Sequence, residues 1–250
     1  MAFLRIKDLV KEFPSSSGRP LRVLDGINLD VKKREFVAIF GPNGCGKTTL
    51  LKIISGFEAA TNGEVQIRSA PAEKAKSYLV LQNPDESLFN WMTTRGNIEI
   101  ALNDEQKIDS ILENIRVGGK TLLEFSKHYP YQLSGGLKQL TVIARAMAFS
   151  PSVLLLDEPF SSLDFRTAMQ MEDSLLDIWE KSKQTVLFVS HNVEEAVYLS
   201  DRIVLLSNQP TKVETIINIE LPRPRRYQMR FSSSFQKIEK KVLESFCGCG

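Results

Sequence analysis

Scarce residue types narrow the possibilities before any motif is considered. The 250 residues include three cysteines and two histidines, too few for a disulfide framework. A Cys-x-Cys pair at Cys247 and Cys249 lacks the remaining ligands of a closed metal site. The formal net charge is only +2, so the surface lacks the strong basic field of a typical nucleic-acid binder. We therefore expect no structural metal site and no nucleic-acid partner.

Long apolar runs are also missing. Stretches such as Phe36–Phe40 and Thr185–Val189 have the length of a strand, far below the roughly 20 residues of a membrane-spanning helix. At the N-terminus, Arg5, Lys7 and Asp8 interrupt the apolar residues, unlike a secretory signal. The sequence thus predicts a cytoplasmic protein. Hydrophobic residues make up 42% of the chain, enough to form a globular core.

Periodicity predicts an α/β fold with a mostly parallel core sheet, an N-terminal antiparallel β layer and a helical insertion. Partial alternation in Phe3–Phe13 and Ile27–Val31 predicts the antiparallel layer. Between Asn83 and Ser150 helical periodicity replaces the buried-strand pattern, which predicts the insertion. Continuous apolar runs, typical of buried parallel strands, lie at Phe36–Phe40, Tyr78–Leu81, Val153–Asp157, Thr185–Ser190 and Ile203–Leu206. The sequence further predicts a weak strand at Lys212–Ile219. It predicts helices at Lys47–Ser55, Glu105–Ile115, Leu137–Phe149 and Phe235–Phe246.

A glycine-rich segment joins the strand Phe36–Phe40 to the helix Lys47–Ser55. It reads GPNGCGKT over residues 41–48 and fits the G-x-x-x-x-G-K-[ST] pattern of phosphate-binding loops. In such a loop backbone N–H groups cradle phosphates, while Lys47 supplies charge and Thr48 a hydroxyl for Mg²⁺. A plain strand-to-helix turn would not require Lys-Thr at these positions. The predicted nucleotide contacts are Gly41, Pro42, Asn43, Gly44, Cys45, Gly46, Lys47, Thr48 and Thr49.

Two adjacent carboxylates end the apolar strand Val153–Asp157. This is the Walker B arrangement, in which Asp157 reaches the Mg²⁺ coordination shell and Glu158 polarises the attacking water as general base. Without the phosphate loop, solvated acids at a strand end would be the simpler interpretation. Together the two motifs still leave GTPases, kinases and every ATPase class open.

The segment LSGGLKQ at residues 133–139 narrows the class. Ser134 suits a helix N-cap, and Gly135 and Gly136 allow another backbone to approach, so that the helix start can present N–H groups to a γ-phosphate. With the preceding YPYQ at residues 129–132, it resembles the signature of ABC ATPases. The segments LFNWMT at 88–93, Asn97-Ile98 and LPRPR at 221–225 resemble the nitrate, sulfonate and taurine uptake group.

The resemblance, which extends to about Leu221, implies further site residues. Phe13 resembles the aromatic residue that stacks on adenine, although a core aromatic is the alternative. Gln82 resembles the Q-loop glutamine that senses Mg²⁺ and water, and Asp164, in SSLD, the D-loop at the dimer interface. His191 resembles the switch histidine that contacts the γ-phosphate. The implied sets are Glu158, His191, Gln82 and Lys47 for catalysis; Thr48, Gln82 and Asp157 for metal; and Ser134, Gly135, Gly136, Gln139 and Asp164 for further nucleotide contacts.

The resemblance also implies an assembly. Lys47 and Thr48 of one subunit and Ser134 and Gly136 of a second copy would enclose ATP in a head-to-tail dimer. This dimer would lie on the cytoplasmic face of the membrane as a peripheral protein, coupled to two transmembrane permease subunits and an external solute-binding protein. It would drive uptake of a small solute, an anion such as nitrate, sulfonate or taurine. The implied division is 1–82 for the β layer and phosphate loop, 83–150 for the helical subdomain, 151–221 for the remaining core and 222–250 for a tail of unassigned role.

Two other functions are compatible with the phosphate loop, and three positions depart from the family pattern. A non-transport ABC ATPase acting on nucleic acid or ribosomes is one alternative, disfavoured because the chain has neither a long coiled-coil insertion nor a second ATPase unit. An ATP-binding regulator without turnover is another, disfavoured because Glu158 is present. Three positions depart from the family pattern, with Leu140 in place of arginine, Cys45 in place of serine or alanine, and Asn90 in place of proline.

Overall fold

A computed structural model of the chain describes residues 2–15, 18–68 and 77–248, so Cys249 lies outside the described residues. The strands are β1 (Leu4–Phe13), β2 (Leu21–Val31), β3 (Phe36–Phe40), β4 (Asn62–Ile67), β5 (Ser77–Val80), β6 (Arg116–Val117), β7 (Lys120–Thr121), β8 (Val153–Asp157), β9 (Thr185–Val189), β10 (Arg202–Leu206) and β11 (Val213–Asn218). The helices are α1 (Lys47–Ser55), α2 (Thr94–Glu99), α3 (Glu105–Asn114), α4 (Gly135–Ala148), α5 (Phe165–Ser182), α6 (Val193–Leu199) and α7 (Ser233–Cys247). In the described ranges, no helix combines the length and the apolar character needed to span a membrane.

The N-terminal sheet is antiparallel, in the order β2-β1-β4. Leu4 pairs with Val31 on one side and with Ile67 on the other. The predicted antiparallel layer is therefore confirmed. Strand β4 was not expected, because its sequence NGEVQI is short and largely exposed and carries little hydrophobic signal.

The core sheet has the order β11-β10-β3-β9-β8-β5, and only its edge strand β11 runs antiparallel. Strand β3 lies between β10 and β9, and all of its residues are buried. Burial on both faces explains the uninterrupted apolar runs that predicted β3, β8 and β9. The predicted fold class, an α/β fold with a mostly parallel sheet, is confirmed.

Two hydrophobic clusters cover the two faces of this sheet. Phe36, Ala38 and Phe40 belong to one cluster, and Val37 and Ile39 to the other. Since successive strand residues point to opposite faces, β3 anchors both clusters. The first cluster includes residues of α4 to α7, and the second joins the core sheet to α1 and the N-terminal sheet.

Residues 83–150 contain α2, α3 and α4, as the helical periodicity predicted, and also the small hairpin β6-β7. The hairpin gave no sequence signal because each strand has two residues. Leu140, which departs from the family pattern, is 1% exposed in the core. An apolar side chain therefore fills a place where a buried arginine would need a charged partner.

Candidate active site

The phosphate loop is shaped by glycines in the left-handed region. Gly44 has φ of 75° and Gly46 has φ of 108°. A Cβ atom on Gly46 would lie 2.7 Å from Cγ1 of Val23 in β2, so the N-terminal sheet packs directly on the loop. Helix α1 begins at Lys47, and no side chain among the described residues caps its N-terminus. Its first N–H groups therefore remain available to an anion.

The Lys47 ammonium lies inside the loop. Its Nζ atom donates to the carbonyl oxygens of Gly41 at 3.0 Å and Pro42 at 2.9 Å, and the residue is 5% exposed. A buried positive charge and the start of α1 thus meet in the same loop. This combination suits the phosphates of a nucleotide.

Cys45 faces away from the phosphate side of the loop. It is 2% exposed and packs in the cluster between the two sheets, where burial raises the pKa of its thiol. The Cys45 carbonyl accepts a hydrogen bond from the Thr211 hydroxyl, and the Gly44 carbonyl accepts one from Gln209 at 2.5 Å. Among the predicted nucleotide contacts, Cys45 can therefore contribute only its main chain.

Asp157 and Thr48 lie side by side beneath the loop. Asp157 is 5% exposed, and burial raises the pKa of its carboxyl, while a hydrogen bond with Thr48 and the charge of Lys47 oppose the shift. A hydroxyl and a carboxylate are hard oxygen donors of the kind that Mg²⁺ prefers. These two side chains fit the predicted metal site.

Glu158 holds a strained backbone conformation. Its φ is +45°, a left-handed value that costs a non-glycine residue about 1–3 kcal/mol. The following Pro159 disfavours the right-handed helical conformation at this position. The Glu158 N–H donates to the Val189 carbonyl at 3.1 Å, and its carboxylate Oε2 lies 3.0 Å from Nδ1 of His191. The ends of β8 and β9 thereby bring the predicted base and the predicted switch histidine together.

Gln82 is connected to Glu158 through Ser161. Gln82 Nε2 donates to the Ser161 hydroxyl at 3.0 Å, and that hydroxyl donates to the Glu158 carbonyl at 3.0 Å. The sequence placed Ser161 in the D-loop but gave it no role of its own. Its hydroxyl is the link that sequence reasoning missed.

The two glycines of the predicted signature have different surroundings. Ser134 caps α4 by accepting the N–H of Leu137 at 3.4 Å, and both Ser134 and Gly135 are exposed. Gly136 is buried, and a Cβ atom on it would lie 2.8 Å from Cγ2 of Thr167 in α5. The sequence predicted that both glycines allow another backbone to approach closely. The structure leaves room for such an approach at Gly135, whereas the lack of a side chain at Gly136 allows α4 to pack against α5 within the chain.

Three other predicted residues differ in their exposure and in their contacts. Gln139 is 2% exposed, and neither amide atom has a hydrogen-bond partner among the described residues; the structure gives it no access to the exposed tip. Asp164 caps α5 by accepting the Thr167 N–H at 3.1 Å. Phe13 is partly buried at the end of β1, with Lys11 Nζ 4.6 Å from its ring centroid.

Comparison with known proteins decides the family. The family model described as ABC transporter matches residues 24–161. The chain belongs to the ABC transporter family. The chain is 41% identical to the aliphatic sulfonates import ATP-binding protein SsuB of Bacillus cereus, over 96% of this chain and 94% of that protein. It is 40% identical to the bicarbonate transport ATP-binding protein CmpC of Synechococcus elongatus, over 96% of this chain and 37% of that protein.

A solved structure agrees with this assignment. The dimeric post-hydrolysis state of the ATP-binding cassette MJ0796, bound to ADP and Pi, is 28% identical and superposes with a TM-score of 0.71. The match covers 88% of this chain and 100% of that one. The resemblance to ABC ATPases and to the sulfonate uptake group is confirmed, and the chain is an ATP-binding subunit whose ATPase activity is coupled to transport.

As an ABC ATPase, the chain carries its predicted residues in two separate places. Lys47, Thr48 and Asp157 surround the phosphate loop, with Glu158 and His191 at the neighbouring strand ends. The signature tip instead packs on the first turn of α5. The phosphate loop combines a buried ammonium group with an uncapped helix start, whereas the signature segment presents an exposed helix start.

Proposed function

We propose that this chain is the ATP-hydrolysing subunit of an ABC importer that takes up a small anion. Two observations support the proposal. The relatives named for aliphatic sulfonate import and bicarbonate transport both handle small anionic solutes. The contact between Glu158 and His191 supplies a base and its partner beside the phosphate loop. The candidate solutes are sulfonates, taurine, nitrate and bicarbonate.

In the proposed reaction, water attacks the γ-phosphorus of ATP and the bond to the β,γ-bridging oxygen breaks. Glu158 accepts the proton of that water, and His191 holds the Glu158 carboxylate while contacting the γ-phosphate. Lys47 and the first N–H groups of α1 bind the β- and γ-phosphates, and Phe13 stacks on adenine. Thr48 and Asp157 would hold Mg²⁺, with Gln82 close by, and the ion would neutralise phosphate charge when bound.

The exposed tip of α4 supports a head-to-tail dimer. Ser134 and Gly135 are open to solvent, whereas the contacts of Lys47 are with its own loop. We infer that each tip completes the site of a second copy, with Asp164 near the shared interface. The dimeric state of the solved cassette supports the pairing of two copies.

The remaining partners follow from coupling to transport. Two transmembrane permease subunits would dock beside Gln82 and residues 83–150, where Trp91 is 73% exposed and lies against Phe89 with ring centroids 5.3 Å apart. An external solute-binding protein would deliver the anion. The subunit would then be a peripheral protein on the cytoplasmic face of the membrane.

The role of Glu158 is tested by Glu158→Gln, which keeps the shape of the side chain and removes the base. We expect turnover to fall by about 100-fold or more and an ATP-dependent dimer to accumulate in size-exclusion chromatography. The control is Glu113→Gln, an exposed carboxylate on α3, which should hydrolyse ATP like the unaltered protein. Normal turnover by Glu158→Gln would remove Glu158 from the base role.

A test of the proposed import function requires the partner subunits. Co-purification with the permease and the binding protein, reconstituted in vesicles, should give ATPase activity that rises when a sulfonate, taurine, nitrate or bicarbonate is added with the binding protein. Chloride serves as the control anion. If none of these anions stimulates hydrolysis or enters the vesicles, the solute class is wrong even though the ATPase remains.

A further inference from the structure

One buried arginine of the C-terminal segment joins two helices that flank the active site. Arg230 is 7% exposed in the short helical turn Tyr227–Phe231. Its Nη2 atom contacts the carboxylate of Glu172 in α5, and its Nη1 atom donates to Glu194 Oε1 in α6 at 2.7 Å. The guanidinium carbon also lies 4.0 Å from the ring centroid of Tyr198. A single side chain thus ties α6 to α5.

The start of α6 determines where the switch histidine lies. Asn192 caps the helix, its Oδ1 accepting the Glu194 N–H at 2.9 Å. The Ser190 hydroxyl accepts the Asn192 N–H at 2.9 Å and donates to Glu195 Oε2 at 2.6 Å. His191 lies between Ser190 and Asn192 in the chain, so any shift of the first turn of α6 moves His191 relative to Glu158.

The same C-terminal segment also holds the other end of α6. Arg225 Nη1 donates to the carbonyls of Tyr198 and Ser200, each at 2.7 Å, and Arg223 Nη2 donates to that of Leu199 at 2.8 Å. These carbonyl groups at a helix C-terminus have no partner within the helix. The two arginines therefore fix the end of α6, and Arg230 fixes its first turn.

Free space lies beside the His191 side chain. A cavity of about 240 Å³ is lined by His191, Leu163, Glu172 and Arg230, among others. The His191 side chain is 51% exposed and contacts the Glu158 carboxylate. The imidazole therefore has room to turn away if α6 shifts.

We propose that Arg230 is a positioning residue of the ATPase, which locks α6 onto α5 and so holds His191 against Glu158. The inference rests on the role proposed above for His191. Burial raises the pKa of Glu172 to about 8, and the Arg230 guanidinium opposes this rise. The two contacts of the Arg230 guanidinium, with Glu172 and with Glu194, hold the two helices together.

Two variants break the link at different places. Arg230→Met removes it altogether, while Glu194→Gln weakens only the α6 arm at a side chain that is 32% exposed. We expect kcat for ATP to fall about 10-fold in Arg230→Met and about 3-fold in Glu194→Gln, with KM for MgATP within about 2-fold, because the nucleotide-binding loop is untouched. The control is Arg226→Met, whose side chain is 63% exposed and pairs with exposed Asp177 at 3.5 Å; its kcat should not change.

A buried polar group left without its partner can unfold a protein, so each variant is first checked by circular dichroism. If Arg230→Met does not fold, Glu194→Gln decides the question. Unchanged kcat in the folded variants would overturn the proposal.

A second measurement separates positioning from general stabilisation. His191→Ala alone should lower single-turnover hydrolysis, and adding Arg230→Met to it should cause no further loss, because both changes act through the same imidazole. Multiplicative losses in the double variant would show that Arg230 does not act through His191. Normal turnover by His191→Ala would instead refute the role proposed for His191 itself, and the positioning proposal with it.

Discussion

The two signature glycines allow packing and ligand approach to be separated by adding one methyl group at a time. Gly135→Ala places a Cβ atom whose nearest neighbour, Cδ2 of Leu163, is 4.0 Å away, an ordinary contact. Gly136→Ala places a Cβ atom 2.8 Å from Cγ2 of Thr167, against the 3.5–4.0 Å that is optimal for two carbon atoms. The Thr167 side chain and the Thr167 N–H both bind the Asp164 carboxylate, so rotating the methyl group aside would break part of the cap of α5.

The magnitudes follow from two opposing effects. Replacing glycine by alanine in a helix gains up to about 1 kcal/mol, and overpacking costs about 1–3 kcal/mol. Gly135→Ala should therefore be neutral or stabilising, whereas Gly136→Ala should lose about 1 kcal/mol, which lowers Tm by about 2–4 °C in a chain of this size. Thr167→Ser removes the clashing methyl group and should restore most of the loss in the double variant.

Urea unfolding and ATP turnover together decide the outcome. If the nucleotide of a second copy lies on Gly135, Gly135→Ala keeps its stability but loses ATP-dependent dimerisation and most of its kcat. The reasoning is refuted if Gly136→Ala is as stable as Gly135→Ala, or if Thr167→Ser fails to restore it. Full activity of Gly135→Ala would show that the exposed tip does not contact nucleotide.

Three further predictions concern buried groups. Burial raises the pKa of Glu172 from an ordinary value of 4.5 to about 8. Between these two pH values the folded chain therefore holds a proton on Glu172 that the unfolded chain has lost. The stabilisation from this proton is complete below pH 4.5, and the free energy of unfolding falls by up to about 1.4 kcal/mol per pH unit as the pH rises to 8. Unfolding in urea at pH 5.5, 7.0 and 8.5 should show a shallower fall for Glu172→Gln, and identical slopes would contradict the assignment. Cys45 is buried and its thiol pKa is raised, so it should react with iodoacetamide only on unfolding, whereas the exposed Cys247 should react in the native protein. Labelling is measured by mass spectrometry, and equal labelling of the two cysteines in the native protein would place Cys45 at the surface. Gln139→Met should raise the free energy of unfolding by about 1 kcal/mol, because it removes a buried amide that has no hydrogen-bond partner in the described part of the chain. Destabilisation by a similar amount would reveal a partner for that amide.

The parts of the fold that the sequence predicted are those with a strong local signal. Strands β3, β8 and β9 are buried on both faces, so each appears as an uninterrupted apolar run. Strand β4 and the hairpin β6-β7 were missed, because short and largely exposed strands leave almost no hydrophobic pattern.

In the candidate site, too, the features with a local sequence signal could be predicted and those that depend on tertiary packing could not. The phosphate loop and the carboxylates Asp157 and Glu158 could be identified because their residues are contiguous and their spacing alone sets the chemistry. The different surroundings of Gly135 and Gly136 could not, because the difference depends on Thr167 of α5, which packs against one glycine and not the other.

The sequence by itself determined the fold class and the short segments that carry the chemistry, since both depend on neighbours along the chain. Only the tertiary structure decided that His191 meets Glu158 and that Arg230 joins Glu172 to Glu194. The physical reason is that these contacts form between the ends of separate strands and between helices, where the order of the sheet and the packing of the core, not local periodicity, set which side chains come together.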